Sequence, residues 1–215
     1  MKYAVIGGSG LENLRLRNAL FIPRHGRDHI TPPHLINHKA HIELCRSKGC
    51  DAILSVASVG IISKYRPRDL IVVRDFISFY LDTPTLFNEE GENFNKVHTD
   101  FTTPFPLADR IARVAKGKNL TIRDGGIVAY TRGPRLETKA EIEALKRLGA
   151  NLIGMTCVPE AILAHESGIA YGCVAVGCNY ACGIAKKPLR FDEIASAAQS
   201  KQKDVERLFD AIISE

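Results

Sequence analysis

A chain of 215 residues, 45% of them hydrophobic, can bury one substantial core, and the expectation is a single domain over 1–215. Its 29 Lys and Arg against 24 Asp and Glu give a formal charge of +5, but the basic residues are scattered and form no nucleic-acid-binding arm. That charge suits an anionic substrate as well as a plain solvated surface, and nucleic acid is not an expected partner.

The opening MKYAVIGGSG has no basic n-region, long apolar stretch or small-residue cleavage site, and no run reaches the roughly 18 apolar residues of a membrane span. No membrane partner is expected, and a cytoplasmic location is. The cysteines at 45, 50, 157, 173, 178 and 182 then read as reduced core thiols. None forms a CxxC pair and no His or Cys partner stands at ligand spacing, so no metal is expected; a disulfide stays open for a hyperthermophilic source.

In chain order, short apolar and β-branched runs at 3–7, 52–57, 69–73, 125–130, 151–155 and 172–177 read as buried strands. Helical patterns lie at 39–49, 107–117, 138–149 and 158–168, each closed by a glycine suited to a C-cap, and 191–215 reads as one terminal helix. Strands alternating with helices predict an α/β fold, one domain with a mixed or largely parallel central β-sheet flanked by helices. The stretch 78–106 mixes aromatics with turn residues and reads as a functional loop or an interface element.

Four motifs carry the chemistry. GGSG at 7–10 follows the first strand, where glycines let backbone approach an anion and Ser9 adds a hydroxyl; a tight turn without ligand is the alternative. PRHGRDH at 23–29 follows the apolar pair Phe21 and Ile22, which read as the end of a strand. There Arg24 offers a planar fork for an oxyanion or a surface ion pair, and His25 a hydrogen bond to phosphate; the same triplet also occurs in enzymes with a phosphorylated histidine. In YTRGPRLETKAEI, Glu137 stands just before a helix starting near Thr138, and pattern alone favours capping over reaching into a cleft. GMTCVPEAILAHE at 154–166 and VGCNYACG at 176–183 put Met155, Thr156 and Asn179 at the carboxyl ends of strands, where open α/β sheets bind ligands; core packing is the other role for Met155.

In this order GGSGL, PRHGRDH, YTRGPRLETKAEI, GMTCVPEAILAHESGI and CNYACGI resemble the purine nucleoside phosphorylase and methylthioadenosine phosphorylase family over nearly the whole chain. The resemblance implies a nucleoside phosphorylase-like domain that binds a nucleoside and inorganic phosphate, the latter as co-substrate, with no metal or organic cofactor. It assigns phosphate to Ser9, Arg24, His25, the turn from Ala57 through Ser58 to Gly60, and Thr156. Met155 matches the methionine along ribose and base, and Leu136 stands where many members place a Phe against the base. Glu137 and Asn179 match the 6-oxopurine readers and are the implied catalytic pair, while Ala181 replaces an aspartate of adenine-preferring members. A carboxylate accepts the N1 hydrogen of hypoxanthine or guanine, which adenine lacks.

His98 matches a histidine near the 5′ end of the sugar that a neighbouring subunit supplies, implying a homotrimer or a homohexamer. The activity so implied is phosphorolysis, in purine salvage, of S-methyl-5′-thioinosine, inosine or guanosine to free base and the sugar 1-phosphate. Methylthioadenosine phosphorolysis, a water-using nucleosidase and a non-catalytic purine binder are the alternatives. The chain departs from its apparent relatives in a short segment between Gly10 and Phe21, in VASVGIIS, and in His38 and His41 where Tyr and Asn are common.

Overall fold

The run YAVIG is buried at every position and forms β1 (Tyr3–Gly7), the parallel partner of both β2 (Ala19–Pro23) and β3 (Ala52–Ile61) in the computed structural model, which describes residues 1–79, 84–87, 98–185 and 191–215. β4 (Leu70–Ile77), β5 (Arg123–Tyr130), β6 (Leu152–Gly154) and β7 (Ala170–Tyr180) complete a seven-stranded mixed sheet of order β2-β1-β3-β6-β5-β4-β7. β7 also runs parallel to β3 along its whole length, so β3, β6, β5, β4 and β7 close into a ring, and β1 and β2 extend it on one side. Strands buried on both faces read as continuous apolar runs, which is why they were visible in the sequence. β2 is the exception: only its Phe21 and Ile22 carry a strand signal, and as an edge strand it tolerates Pro23 at its end.

One expectation changes at β3. The 57–60 stretch is not a turn but the continuation of the strand, with a register irregularity between Val59 and Gly60. There β3 pairs with β6 and β7 at once, Gly60 lying opposite both Ile153 and Asn179. The extra residue is Cys178 of β7, so it is β7 that bends there, re-aiming the side chains that follow, Asn179 among them.

The helices are α1 (His38–Ser47), α2 (Ala108–Gly117), α3 (Lys139–Arg147), α4 (Cys157–Glu166), α5 (Phe191–Gln199) and α6 (Gln202–Ile213). Left-handed glycines 49, 149 and 168 follow three of them, whereas Gly117 ends α2 without positive φ and Asn119 takes that conformation instead, at φ 52°. The expected single terminal helix is two: Ser200 turns its hydroxyl back onto the Ala197 carbonyl at 2.7 Å, and Lys201 leaves the helical region at φ −103°, ψ 1°. Of the irregular 78–106 stretch, the described part includes Phe105, buried against Tyr171, and Phe101 stacked on His165, so aromatic anchors hold it to the core. All six cysteines are free thiols. No helix among the described residues is long and apolar enough to cross a membrane.

The start of α3 corrects the expected capping role of Glu137. Thr138 is the N-cap, accepting from the Glu141 backbone, while the Glu141 carboxylate accepts from the Thr138 backbone, so the capping box is complete without Glu137. Thr138→Ala is expected to lower stability by about 1 kcal/mol, the usual value of a lost N-cap, measured by urea denaturation.

Candidate active site

The carboxyl ends of β1, β2, β6 and β7 and the last residues of β3 open onto a cleft of about 510 Å³. Ser9, Arg24, His25, Ser58, Leu136, Glu137, Met155, Thr156, Asn179 and Ala181 line it, so ten of the twelve residues singled out in the sequence meet in one cavity. Ala57 is buried and contributes no lining surface, because strand alternation turns Ser58 toward the cleft and Ala57 away from it. His98 is exposed and lies outside the cleft lining of its own chain.

Arg24 is the most constrained group in the site. Its side chain is fully buried, and so is that of Glu160 on α4, which takes the bidentate edge of the guanidinium: Nε donates to Oε1 at 2.5 Å and Nη2 to Oε2 at 2.9 Å. Nη2 also donates to Ser55 Oγ at 2.7 Å, and Nη1 to the Val56 carbonyl at 2.9 Å. Four of the five guanidinium N–H groups are thus spoken for inside the protein. The sequence suggested a fork open to an external oxyanion; the fork is occupied by an internal one, and a single Nη1 hydrogen remains. Glu160 further accepts from Tyr171 at 2.7 Å and Ser55 at 3.0 Å. Burial opposes both charges, but the mutual attraction outweighs it, holding Arg24 above its ordinary range and Glu160 well below the usual carboxylate range. Gly8 makes room for this arrangement, since a Cβ there would sit 2.3 Å from Nη1.

His25 stands beside this pair. Its Nδ1 lies 2.9 Å from the Thr31 carbonyl, which can only accept, so Nδ1 carries the proton and Nε2 presents a lone pair toward Ser9 Oγ at 3.4 Å. Burial, reinforced by the Arg24 cation, lowers its pKa to about 4, so the ring is neutral near pH 7. Glu12 joins the glycine loop to this segment by accepting from Gly10 N at 3.0 Å and pairing with His29 Nδ1 at 2.5 Å. Ser58 Oγ donates to the Ser9 carbonyl at 2.9 Å, tying the loop to β3. Thr156 precedes α4 and its side chain makes no capping bond, which leaves the hydroxyl available to the cleft. Behind Glu160, His38 Nδ1 stands 3.7 Å from Oε1, too far for a hydrogen bond.

A second group of lining residues is more apolar. Glu137 is 7% exposed and accepts a hydrogen bond from Thr131 Oγ1 at 2.6 Å. Asn179 donates from Nδ2 to the Tyr180 carbonyl at 2.9 Å, with Ala181 and Cys182 following it along the wall. Leu136 and Met155 face the same space; Met155 Sδ would lie 2.5 Å from a Cβ at Gly133, where φ is 68°, so only glycine fits there. Among the described residues no group of three His, Cys, Asp or Glu is placed to hold a metal ion.

Sequence reasoning missed Glu160, Ser55 and Tyr171. The signal was present in Glu160, a lone acid inside a helix buried continuously from Cys157 to Ala164. An ionised group at such a position needs a buried partner.

An α/β domain with a deep cleft at its strand ends, furnished with a buried carboxylate and an Arg-His pair, is the architecture of an enzyme acting on a small ligand. The chain belongs to the Phosphorylase superfamily, which matches residues 3–214. It is 36% identical over 200 residues to the 6-oxopurine nucleoside phosphorylase of Pyrococcus furiosus, covering 90% of this chain and 76% of that one. A probable S-methyl-5′-thioinosine phosphorylase of Methanopyrus kandleri is 39% identical over 178 residues, covering 81% of this chain and 68% of that one. Among solved structures, a methylthioadenosine phosphorylase from Schistosoma mansoni in complex with adenine superposes with a TM-score of 0.88, covering 99% of this chain and 91% of that one at 21% identity, a likeness of fold.

Removing one partner of the buried pair strands the other's charge. Glu160→Ala or Arg24→Ala is expected to cost about 3–5 kcal/mol in urea denaturation, and the double variant Arg24→Met with Glu160→Leu far less than the two single losses added.

Proposed function

We propose that this protein is a phosphorylase that transfers the sugar of a 6-oxopurine nucleoside from the base to inorganic phosphate, with S-methyl-5′-thioinosine, inosine and guanosine as its substrates. The observation that carries the base assignment is Glu137: a carboxylate released from capping and buried in the same cleft as Ser9, Arg24, His25 and Thr156. The relatives named for 6-oxopurine nucleosides and methylthioinosine support the same reading.

In this reading phosphate lies against the Ser9 and Thr156 hydroxyls, the remaining Arg24 Nη1 hydrogen, His25 and the Ser58 segment. The nucleoside lies along Met155 and Leu136. As the glycosidic bond breaks, the sugar becomes oxocarbenium-like and negative charge builds on the purine. Phosphate meets the cation at C1′. Glu137 accepts N1–H and the Asn179 amide donates to O6 or N7, and the second of these bonds strengthens as the base gains charge. With Ala181 in the wall, Asn179 or a water supplies the proton or hydrogen bond at N7. This chemistry calls on no metal or organic cofactor. A homotrimer or homohexamer completes the reading, with His98 acting from a neighbouring subunit; its exposed position outside its own chain's cleft supports that role.

Product analysis tests the assignment: hypoxanthine release from inosine and methylthioinosine is expected only with phosphate present. Undiminished release without phosphate would make the protein a nucleosidase, and cleavage of methylthioadenosine with both inosine substrates intact would overturn the base assignment. Glu137→Gln is expected to lower kcat/KM for inosine about 10- to 100-fold, the range for a hydrogen bond to a charged group.

The protonation of His25 gives a second check. A phosphate dianion facing Nε2 needs a donor there, and Nδ1–H is committed to Thr31, so binding is expected to bring a proton to His25. Proton uptake on binding makes affinity fall as pH rises. Calorimetry at about pH 8 in buffers of different ionisation enthalpy should register that uptake, and His25→Asn should abolish it.

A further inference from the structure

Among the described residues, Thr131 is the one side chain with a hydrogen bond to Glu137. It follows β5 directly, and its backbone N–H donates to the Gly154 carbonyl at 3.1 Å, which pins it to the end of β6. From that anchor its hydroxyl donates to Glu137 Oε1 at 2.6 Å, a charge-assisted length. The other hydroxyl-bearing neighbour, Thr138, is occupied by the Glu141 backbone, and the nearby Arg135 is paired with Glu141 at 2.7 Å.

From this juxtaposition we infer that Thr131 is a positioning residue that sets purine selectivity: its hydroxyl occupies Oε1 of Glu137 and so presents Oε2, as an acceptor only, to the edge of the base. This rests on the proposed reading of Glu137 as the group that accepts N1–H. The physical step is one of geometry and of roles. A carboxylate free to rotate offers either oxygen at any angle, whereas one held at 2.6 Å by a strand-anchored hydroxyl has a fixed plane. A fixed acceptor rewards a purine with hydrogen on N1 and leaves an unpaired lone pair opposite a purine without one. Thr131 touches neither the base nor the sugar in this assignment; it acts through Glu137.

The experiment compares the full chain with Thr131→Val, which keeps the shape and removes the hydroxyl, and Thr131→Ser, which restores it. Two readouts are taken: binding of hypoxanthine and of adenine by calorimetry, and kcat and KM for inosine and for phosphate. Thr131→Val is expected to weaken hypoxanthine about tenfold and adenine less than twofold, to lower kcat/KM for inosine by a similar factor, and to leave KM for phosphate within twofold. Thr131→Ser should recover both. If Thr131→Val keeps the wild-type ratio of hypoxanthine to adenine affinity, or weakens both bases and phosphate alike, the inference is wrong. Should the valine variant not fold, the serine variant still decides: loss of selectivity with its hydroxyl in place overturns the inference, and retained selectivity together with loss in Thr131→Ala supports it. A wild-type chain that binds adenine in preference to hypoxanthine would instead take down the base assignment itself, and this inference with it.

Discussion

The constraint on which the rest of the site depends is the buried pairing of Arg24 with Glu160. A guanidinium and a carboxylate with no solvent exposure are tolerated only when nearly every donor and acceptor is satisfied, and here Ser55, Tyr171 and the Val56 carbonyl complete the set. To meet that demand β2 must end beside β1, the glycine loop must pass close under Nη1 without a Cβ at Gly8, and α4 must carry an acid into the core. The geometry of the cleft follows from these requirements. Beside the cleft lies a neutralised ion pair with one guanidinium N–H left unused.

That arrangement changes how an anion is recognised. The pair contributes little net charge, and His25 beside it is uncharged near pH 7. In the proposed reading, recognition relies on hydroxyls, one N–H and a proton gained on binding, all of which depend on distance and direction more than on a long-range field. The side of the cleft proposed for the base uses the same economy: one acid, held by one hydroxyl, in a wall that also includes Leu136, Ile153, Met155, Asn179, Ala181 and Cys182.

Much of this was legible in the sequence, for identifiable reasons. Buried strands of a mixed sheet are continuous apolar runs, and glycine loops and strand-end polar residues mark where a ligand approaches, so Ser9, Thr156 and Asn179 could be placed before any coordinates. The rest depended on neighbours distant in the chain. Pattern favoured a capping role for Glu137, because only the structure shows that Thr138 and Glu141 already complete the cap. The 57–60 stretch was a turn only by the family resemblance, and pairing on both sides keeps it a strand. The single terminal helix broke at Ser200 through a local back-bond that helical periodicity does not register. Glu160 drew no notice because its partner lies 136 positions away.

That separation carries a consequence for how the chain can vary. Positions 24 and 160 belong to different halves of the polypeptide, yet neither tolerates a change that the other does not answer. Either half expressed alone would leave an ionised group with no counterion in apolar surroundings. The domain is therefore indivisible for electrostatic as well as topological reasons, and exchange of either half with a distant relative succeeds only when the incoming half carries the member that matches the one retained.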